Sequence, residues 1–185
     1  MELKNKNAGL QQKEVEFISM RPPFTRLGDH ACFATYQTEF DKLYEQGVTD
    51  ALGNLVVFDA DRCYHVCFKS ADTVHNKGER EVWSQERAER IAWIETALKS
   101  PNYIRHTPTD AWVYLLEVEA DRDNGFTQEL YAVFVNAEKR TAPTNVFFLT
   151  AFRIDGKKWN DYKKQKSLYD AKPRPPLKPK KTKQK

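Results

Sequence analysis

The sequence predicts an α+β fold: a curved antiparallel sheet of four to five strands with one principal helix packed on it. Three apolar segments of strand length follow one another in the second half of the chain: residues 112–118, 129–136 and 145–154. The turn signal Asn124-Gly125 separates the first two and Pro143 separates the last two, which favours an antiparallel meander. A segment with 3.6-residue apolar periodicity, residues 85–99, precedes the meander and predicts the helix.

Length and composition indicate one folded domain with extensions. The chain has 185 residues, of which 40% are hydrophobic and 12% aromatic, enough to bury one core. We expect a loosely ordered extension over residues 1–24, a single domain over 25–171 and a disordered Pro/Lys tail over 172–185. No apolar run approaches the ~18–20 residues of a membrane span, and three cysteines are too few for a disulfide scaffold. A cytoplasmic protein without membrane contact is therefore predicted.

The positive charge of the chain resides in its tail. The formal net charge is +4, but residues 172–185 carry seven Lys and Arg and no acid. Removing those seven charges leaves residues 1–171 at −3. A basic isoelectric point is therefore no indication by itself that the folded part binds nucleic acid.

The first half of the chain predicts a short helix and two strands. Residues 38–48 suit a helix with Thr38 as its N-cap, and Gly47 is expected to end it. Residues 55–58 and 63–68 read as strands joined by a turn. Whether these two strands pair with each other or join the meander at different edges stays open.

The principal helix and the C-terminal segment complete the predicted elements. Ser84 is the expected N-cap of the helix over 85–99, and Pro101 follows its end. Its apolar stripe includes Ala88, Ile91, Ile94 and Leu98. Residues 160–169 suit a last amphipathic helix.

His65 is the sharpest candidate for chemistry. In a strand, alternation places it on one face with Cys63 and Cys67. An imidazole with a pKa near ~6.5 both accepts and donates a proton close to neutrality; the alternative is a structural, hydrogen-bonded histidine. The Cys-x-His-x-Cys spacing also suggests zinc, but the two cysteines would lie about 13 Å apart in an extended strand. We therefore expect no metal and no cofactor.

Two arginines at the start of the principal helix form a candidate phosphate site. Arg87 continues the buried stripe, where a positive charge requires a ligand or an ion-pair partner. Arg90 lies one turn further on, and the two together could hold a phosphate in bidentate fashion. The alternative is an internal ion pair with Glu86, Glu117 or Glu129.

The remaining candidates lie in the loop before the helix and in the last strand. Lys69, Lys77 and Arg80 could neutralise a phosphodiester backbone, although a solvated loop is the alternative for each. Thr150 interrupts the apolar strand VFFLTAF. Its hydroxyl either forms a hydrogen bond with a backbone group or positions a scissile phosphate.

These residues resemble a known family. His65, the basic loop, the run ERAERIAWI at 86–94 and the closing LTAF at 149–152 are similar to the phage-associated branch of the barnase–EndoU–colicin–RelE nuclease superfamily. The resemblance spans residues 54–155. It implies metal-independent RNA cleavage on a small α+β fold with a four-stranded sheet, in which the ribose 2′-hydroxyl attacks the adjacent phosphodiester.

The resemblance also implies roles for single residues. His65 would be the general acid or base, Arg87 and Arg90 would stabilise the phosphate, and Thr150 would position it. The motifs of the resemblance supply no second proton carrier; His75 and Tyr131 are candidates for that role, but no pattern places either. The expected partner is RNA, accompanied by a cognate inhibitor or a host protein if the enzyme acts as a toxin.

Two other classes of function remain as alternatives. The first is a non-catalytic RNA- or protein-binding module that keeps the fold, which the −3 charge of residues 1–171 favours. The second is an interaction protein whose Lys/Pro tail makes the contacts. Nothing in the sequence indicates an oligomeric state.

Overall fold

The computed structural model describes residues 22–28, 31–69, 82–119, 128–137 and 146–171. Five helices and nine strands lie in these ranges. The helices are α1 (Phe33–Tyr44), α2 (Arg62–Cys67), α3 (Gln85–Ala88), α4 (Trp93–Lys99) and α5 (Gly156–Lys163). The strands are β1 (Val48–Thr49), β2 (Leu55–Val57), β3 (Phe68–Lys69), β4 (Val82–Trp83), β5 (Tyr103–His106), β6 (Ala111–Glu119), β7 (Gln128–Ala137), β8 (Val146–Arg153) and β9 (Lys166–Asp170). Most of the predicted N-terminal extension and all of the tail lie outside the described residues.

The architecture is α+β, as predicted, but the sheet is larger than expected. Seven strands lie in the order β1-β2-β8-β7-β6-β5-β9, and β3 and β4 form a separate antiparallel pair. The meander β6–β7–β8 is confirmed. The sheet is mixed because β2 runs parallel to β8, with Val56 opposite Val146. The expected four to five strands and one principal helix therefore hold only in part: β1, β5 and β9 are too short or too polar to have a clear strand pattern.

Helix α1 begins earlier than the sequence suggested. Tyr36, Phe40 and Tyr44 are buried at four-residue spacing, so the apolar stripe starts before the predicted N-cap. Thr38 lies inside the helix, where its hydroxyl donates to the carbonyl of Ala34. The helix ends before Gly47, whose φ of 71° and close approach to β2 leave no room for a Cβ.

The predicted strand over residues 63–68 is wrong. Residues 62–67 form α2, and the strand begins only at Phe68. Cys63, Val66 and Cys67 are fully buried, which is the i, i+3, i+4 pattern of a helix packed on a core. In so short a segment the helical and the alternating patterns share most of their positions, and packing decides between them.

The principal helix is divided in two. Between α3 and α4 the backbone makes tight turns, in which Arg90 N–H donates to the carbonyl of Arg87 and Ile91 N–H to that of Ala88. The predicted stripe is nevertheless buried throughout. Ser84 occupies the N-cap position, but its hydroxyl makes no capping hydrogen bond.

The predicted helix over 160–169 is partly wrong. The helix lies earlier, as α5, and begins at Asp155, whose carboxylate accepts a hydrogen bond from Lys158 N–H. The later residues form β9, which pairs with β5. Buried Arg105 favours the strand, because its guanidinium donates to the carbonyl of Tyr169 and pairs with the carboxylate of Asp170.

The two faces of the sheet bury different helices. Helices α1, α2, α3 and α4 cover one face, where Trp93 and Tyr131 are among the largest buried side chains. Helix α5 covers the other face through Trp159. Among the described helices, none has the length and apolar character needed to cross a membrane.

Candidate functional site

One cleft collects several of the charged side chains singled out above. It has a volume of about 240 Å³. Its walls come from β3, α3 and the paired ends of β7 and β8: Lys69, Glu86, Arg87, Arg90, Tyr131, Phe152 and Arg153. Four of these side chains are cationic and one is a carboxylate, so the lining of the cleft carries more positive than negative charge.

The cleft lies where the sheet has an open edge. Strand β2 pairs with β8 only at Val146 and Phe147. Beyond that point, β7 is the one strand that pairs with β8 among the described ranges of the chain. Helix α2 packs against this stretch, and Thr150 Oγ1 donates to the backbone carbonyl of His65 at 3.2 Å. The cleft opens just beyond this contact, at the last residues of β8.

Two contacts hold Arg87 in the cleft wall. Its Nη1 donates to the carbonyl of Phe68 at 2.9 Å, and its guanidinium carbon lies 5.1 Å from the centre of the Phe152 ring. The side chain is half-buried. A guanidinium fixed in this way is pre-organised to receive a phosphate or carboxylate.

Arg90 is buried and forms the internal ion pair that the sequence left as an alternative. Its Nη2 lies 2.9 Å from Glu129 Oε2, and its Nη1 donates to the carbonyl of Glu86 at 2.6 Å. The guanidinium carbon lies 4.9 Å from the centre of the Phe24 ring and 5.0 Å from that of Trp93. Arg90 therefore builds the floor of the cleft and is already paired.

Glu86 and Arg153 face each other across the mouth of the cleft, and sequence reasoning missed both as site residues. Arg153 Nη1 donates to Glu86 Oε1 at 2.8 Å. Burial alone raises the pKa of the Glu86 carboxyl, but the hydrogen bond from Arg153 and the charges of Arg153, Arg90 and Lys69 outweigh it and hold the pKa below its usual range. The sequence offered only neighbouring residues as a sign of these two site residues: Glu86 precedes Arg87, and Arg153 directly follows the LTAF segment.

We expect Arg153→Ala to raise the pKa of Glu86 toward the ordinary glutamate value of about 4.3. Carbon-13 NMR titration of the side-chain carboxyl measures it directly. Because the folded-state pKa is lowered, ionised Glu86 stabilises the fold above the usual carboxyl range, and this contribution is lost as pH falls through the lowered pKa. Lys158→Ala, on the other face of the sheet, should leave the pKa unchanged. An equal pKa in wild type and Arg153→Ala would contradict the assigned cause.

Tyr131 lines the cleft as a hydrogen-bond donor. Burial raises the pKa of its phenol well above the usual range, although the nearby charges of Arg90 and Arg87 oppose this. The hydroxyl donates to the carbonyl of Arg90 at 3.3 Å. At neutral pH the phenol is therefore protonated, so Tyr131, a candidate second proton carrier, is not suited to act as a base.

His65 and Thr150 form a second group beside the cleft. His65 lies half-exposed on α2, with Nε2 3.9 Å from Asp61 Oδ2. Neither residue lines the cleft itself, whereas Lys69, Arg87 and Arg90 meet there. Lys77, Arg80 and His75 lie outside the described residues.

The cysteine geometry also differs from the expectation for a strand. Cys63 and Cys67 are buried on one side of α2 with their sulfur atoms 3.7 Å apart, not about 13 Å, because one helical turn replaces four extended residues. Their mutual hydrogen bond and burial raise the pKa of the Cys63 thiol. Across the described ranges, no three His, Cys, Asp or Glu side chains are grouped as a metal site would require.

Comparisons with protein-family models, with curated proteins and with solved structures found no match for this chain. The geometry of the cleft and the residues around it are therefore the basis for a functional proposal.

Proposed function

We propose that the protein is a metal-independent endoribonuclease that binds an RNA phosphodiester in the cleft. The observation that carries the proposal is the meeting of Lys69, Arg87, Arg90 and Arg153 around the single carboxylate of Glu86. Arginine forks match phosphate oxygens in bidentate geometry, and a half-buried site strengthens that attraction. The resemblance to the phage-associated nuclease branch supports the same class of reaction.

Glu86 is the proposed base. Its carboxylate is ionised at neutral pH, as an ordinary glutamate is, and its lowered pKa keeps it so. It would take the proton of the ribose 2′-hydroxyl while the 2′-oxygen attacks phosphorus and the 5′-oxygen leaves, giving a 2′,3′-cyclic phosphate. A bound phosphate would compete with Glu86 for the Arg153 guanidinium. The hydrogen bond from Arg153 to Glu86 would then weaken, and the pKa of the Glu86 carboxyl would rise while substrate is bound.

His65 is the proposed acid that protonates the departing 5′-oxygen. Its helix leads directly into β3, which carries Lys69 to the cleft. Thr150, which bonds the His65 carbonyl, precedes the cleft residue Phe152 by two positions on β8, about 6.7 Å along a strand. Thr150 would act here by holding α2 in place, and Arg87 and Arg153 would neutralise the charge that grows on the phosphate.

The decisive experiment is cleavage of total RNA by the purified full chain in excess EDTA, with detection of 2′,3′-cyclic phosphate ends. We expect cleavage that survives removal of residues 172–185. Arg87→Ala should lower the rate about a hundred-fold, since one electrostatic donor at the reacting group contributes on this scale. The variant should remain folded, with a melting temperature lowered by the loss of the hydrogen bond to the Phe68 carbonyl. Lys158→Ala on α5 serves as the matched control and should cleave like wild type.

One observation favours a non-catalytic RNA-binding module as the second candidate. Arg90 is already neutralised by Glu129, and residues 1–171 carry a net charge of −3, so less positive charge is available than the cleft suggests. If RNA binds, is not cut, and is released by Lys69→Ala and Arg87→Ala, the second candidate replaces the first. If binding instead disappears with the tail, both proposals for the cleft fail.

A further inference from the structure

A second groove lies between the C-terminal half of α1 and the connection from β2 to α2, with a volume of about 210 Å³. Its floor consists of aromatic side chains: Phe40, Tyr44 and Phe58. Its rim carries carboxylates: Asp41, Glu45 and Asp59. The sequence patterns used above assigned no role to this combination.

The floor is apolar and fixed. The rings of Tyr44 and Phe58 stack with centroids 4.4 Å apart, and Phe58 stacks in turn on Phe148 at 4.7 Å. The Tyr44 hydroxyl is engaged in the core, where it donates to the carbonyl of Ile91. Phe40 and Tyr44 are almost fully buried, so the half-buried ring of Phe58 is the main hydrocarbon surface that the groove presents to a ligand, of a kind that packs against a proline ring or the alkyl stem of lysine.

The rim is acidic and exposed. Asp41 accepts a hydrogen bond from Gln37 at 2.7 Å, and Asp59 lies 3.7 Å from the guanidinium of Arg62. Glu45 makes no ion pair within the part of the chain that the structure describes. Because only Asp59 of these three carboxylates lies within ion-pair distance of an arginine among the described residues, the rim carries an excess of negative charge and attracts cationic groups whose stems are apolar.

We propose that the groove binds the Pro/Lys tail of the same chain, residues 172–185. The tail has the complementary chemistry, because it combines four prolines with seven cationic side chains and contains no acid. Its prolines and lysine stems pack on the aromatic floor, and its ammonium groups pair with the carboxylates of the rim. This assignment does not depend on the ribonuclease proposal, since groove and cleft share no lining residue.

The tail is long enough to reach the groove. It follows β9 at one edge of the sheet, whereas the groove adjoins β2 near the other edge, five strand spacings away. At about 4.8 Å per spacing the separation across the sheet alone is roughly 24 Å. Fourteen residues in a polyproline-like conformation extend about 43 Å, which leaves about 19 Å for the path over the helices and for the residues that lie in the groove.

The test compares the full chain with a chain that ends at Ala171, by proton–nitrogen NMR. We expect amide shifts to differ at Tyr44, Glu45, Phe58 and Asp59, and to do so independently of protein concentration. An acetylated peptide of residues 172–185, titrated into the shortened chain, should restore the shifts. The double substitution Glu45→Gln and Asp59→Asn should weaken peptide binding at least about five-fold, the effect of losing two exposed ion pairs.

A matched control separates a specific groove from general attraction between opposite charges. Glu39→Gln and Asp161→Asn remove two carboxylates outside the groove and should leave peptide affinity unchanged. Equal weakening by both pairs of substitutions, or shifts spread over all acidic surfaces, would overturn the assignment. Shifts that appear only as concentration rises would also overturn it, since the groove would then take the tail of a second copy.

Discussion

Glu86→Gln is expected to lower RNA cleavage by about 10²–10⁴-fold, the usual contribution of a general base. The fold should persist, because the Glu86–Arg153 pair is roughly half exposed and such pairs contribute little to stability. Glutamine keeps an acceptor for Arg153 but cannot take a proton from the 2′-hydroxyl. Rates of cyclic-phosphate formation under single-turnover conditions measure the effect.

RNA affinity should move in the opposite direction from the rate. Removing the single carboxylate from a cleft with four cations strengthens phosphate binding, and fluorescence anisotropy with a non-cleavable 2′-deoxy oligonucleotide tests this. Glu89→Gln is the matched control, since Glu89 follows α3 and accepts a hydrogen bond from Gln85 outside the cleft. Equal loss of activity in the two variants, or weaker binding in Glu86→Gln, would remove Glu86 from the mechanism.

Arg90→Met is expected to destabilise the protein by about 3–5 kcal/mol, because it leaves a largely buried carboxylate without its partner. The side chain of Glu129 is 12% exposed and that of Arg90 is 7% exposed, so water compensates poorly for the lost pair. For a domain of this size the melting temperature should fall by roughly 10 °C. Urea unfolding monitored by circular dichroism gives the free energy directly.

Two further variants decide whether Arg90 supports RNA cleavage by stabilising the fold or by binding the phosphate. Glu129→Leu combined with Arg90→Met should recover part of the loss, since the pair is then replaced by apolar groups. Arg153→Met, which breaks an exposed pair, should cost less than about 1 kcal/mol. A stable Arg90→Met protein with defective RNA cleavage would instead make Arg90 a phosphate ligand.

The parts of the fold that the sequence predicted are those with long, repeated patterns. Strands β6, β7 and β8 contain eight to ten residues each, and turn residues separate their apolar segments in the sequence. Helix α2 was misread because two of its three buried residues, Cys63 and Cys67, would also lie on one face of a strand. The parallel pairing of β2 with β8 leaves no local signal, since it joins segments far apart in sequence.

The sequence predicted a cluster of cationic side chains at the start of the principal helix, but not what each side chain contacts. The helical stripe predicted burial for Arg87 and placed Arg90 on the same side of the helix, but the tight turns after α3 separate the two. Arg87 is half-buried at the cleft, whereas Arg90 is buried and pairs with Glu129. No periodicity reveals that separation. Arg153 is exposed at a strand end, and its importance comes only from Glu86, 67 residues earlier in the chain.

The parallel pairing of β2 with β8 also imposes an order of assembly. Val56 and Val146 are 90 residues apart, so their contact closes a long loop. The pairing stabilises the fold only when other contacts offset the conformational entropy that closing this loop costs. The meander β6–β7–β8 closes through short connections and needs no such step. During synthesis from the N-terminus, α1, β1 and β2 leave the ribosome long before β8, the strand with which β2 pairs, has been synthesised. The aromatic floor of the groove is incomplete over the same interval, because Phe148 of β8 supplies the ring on which Phe58 stacks.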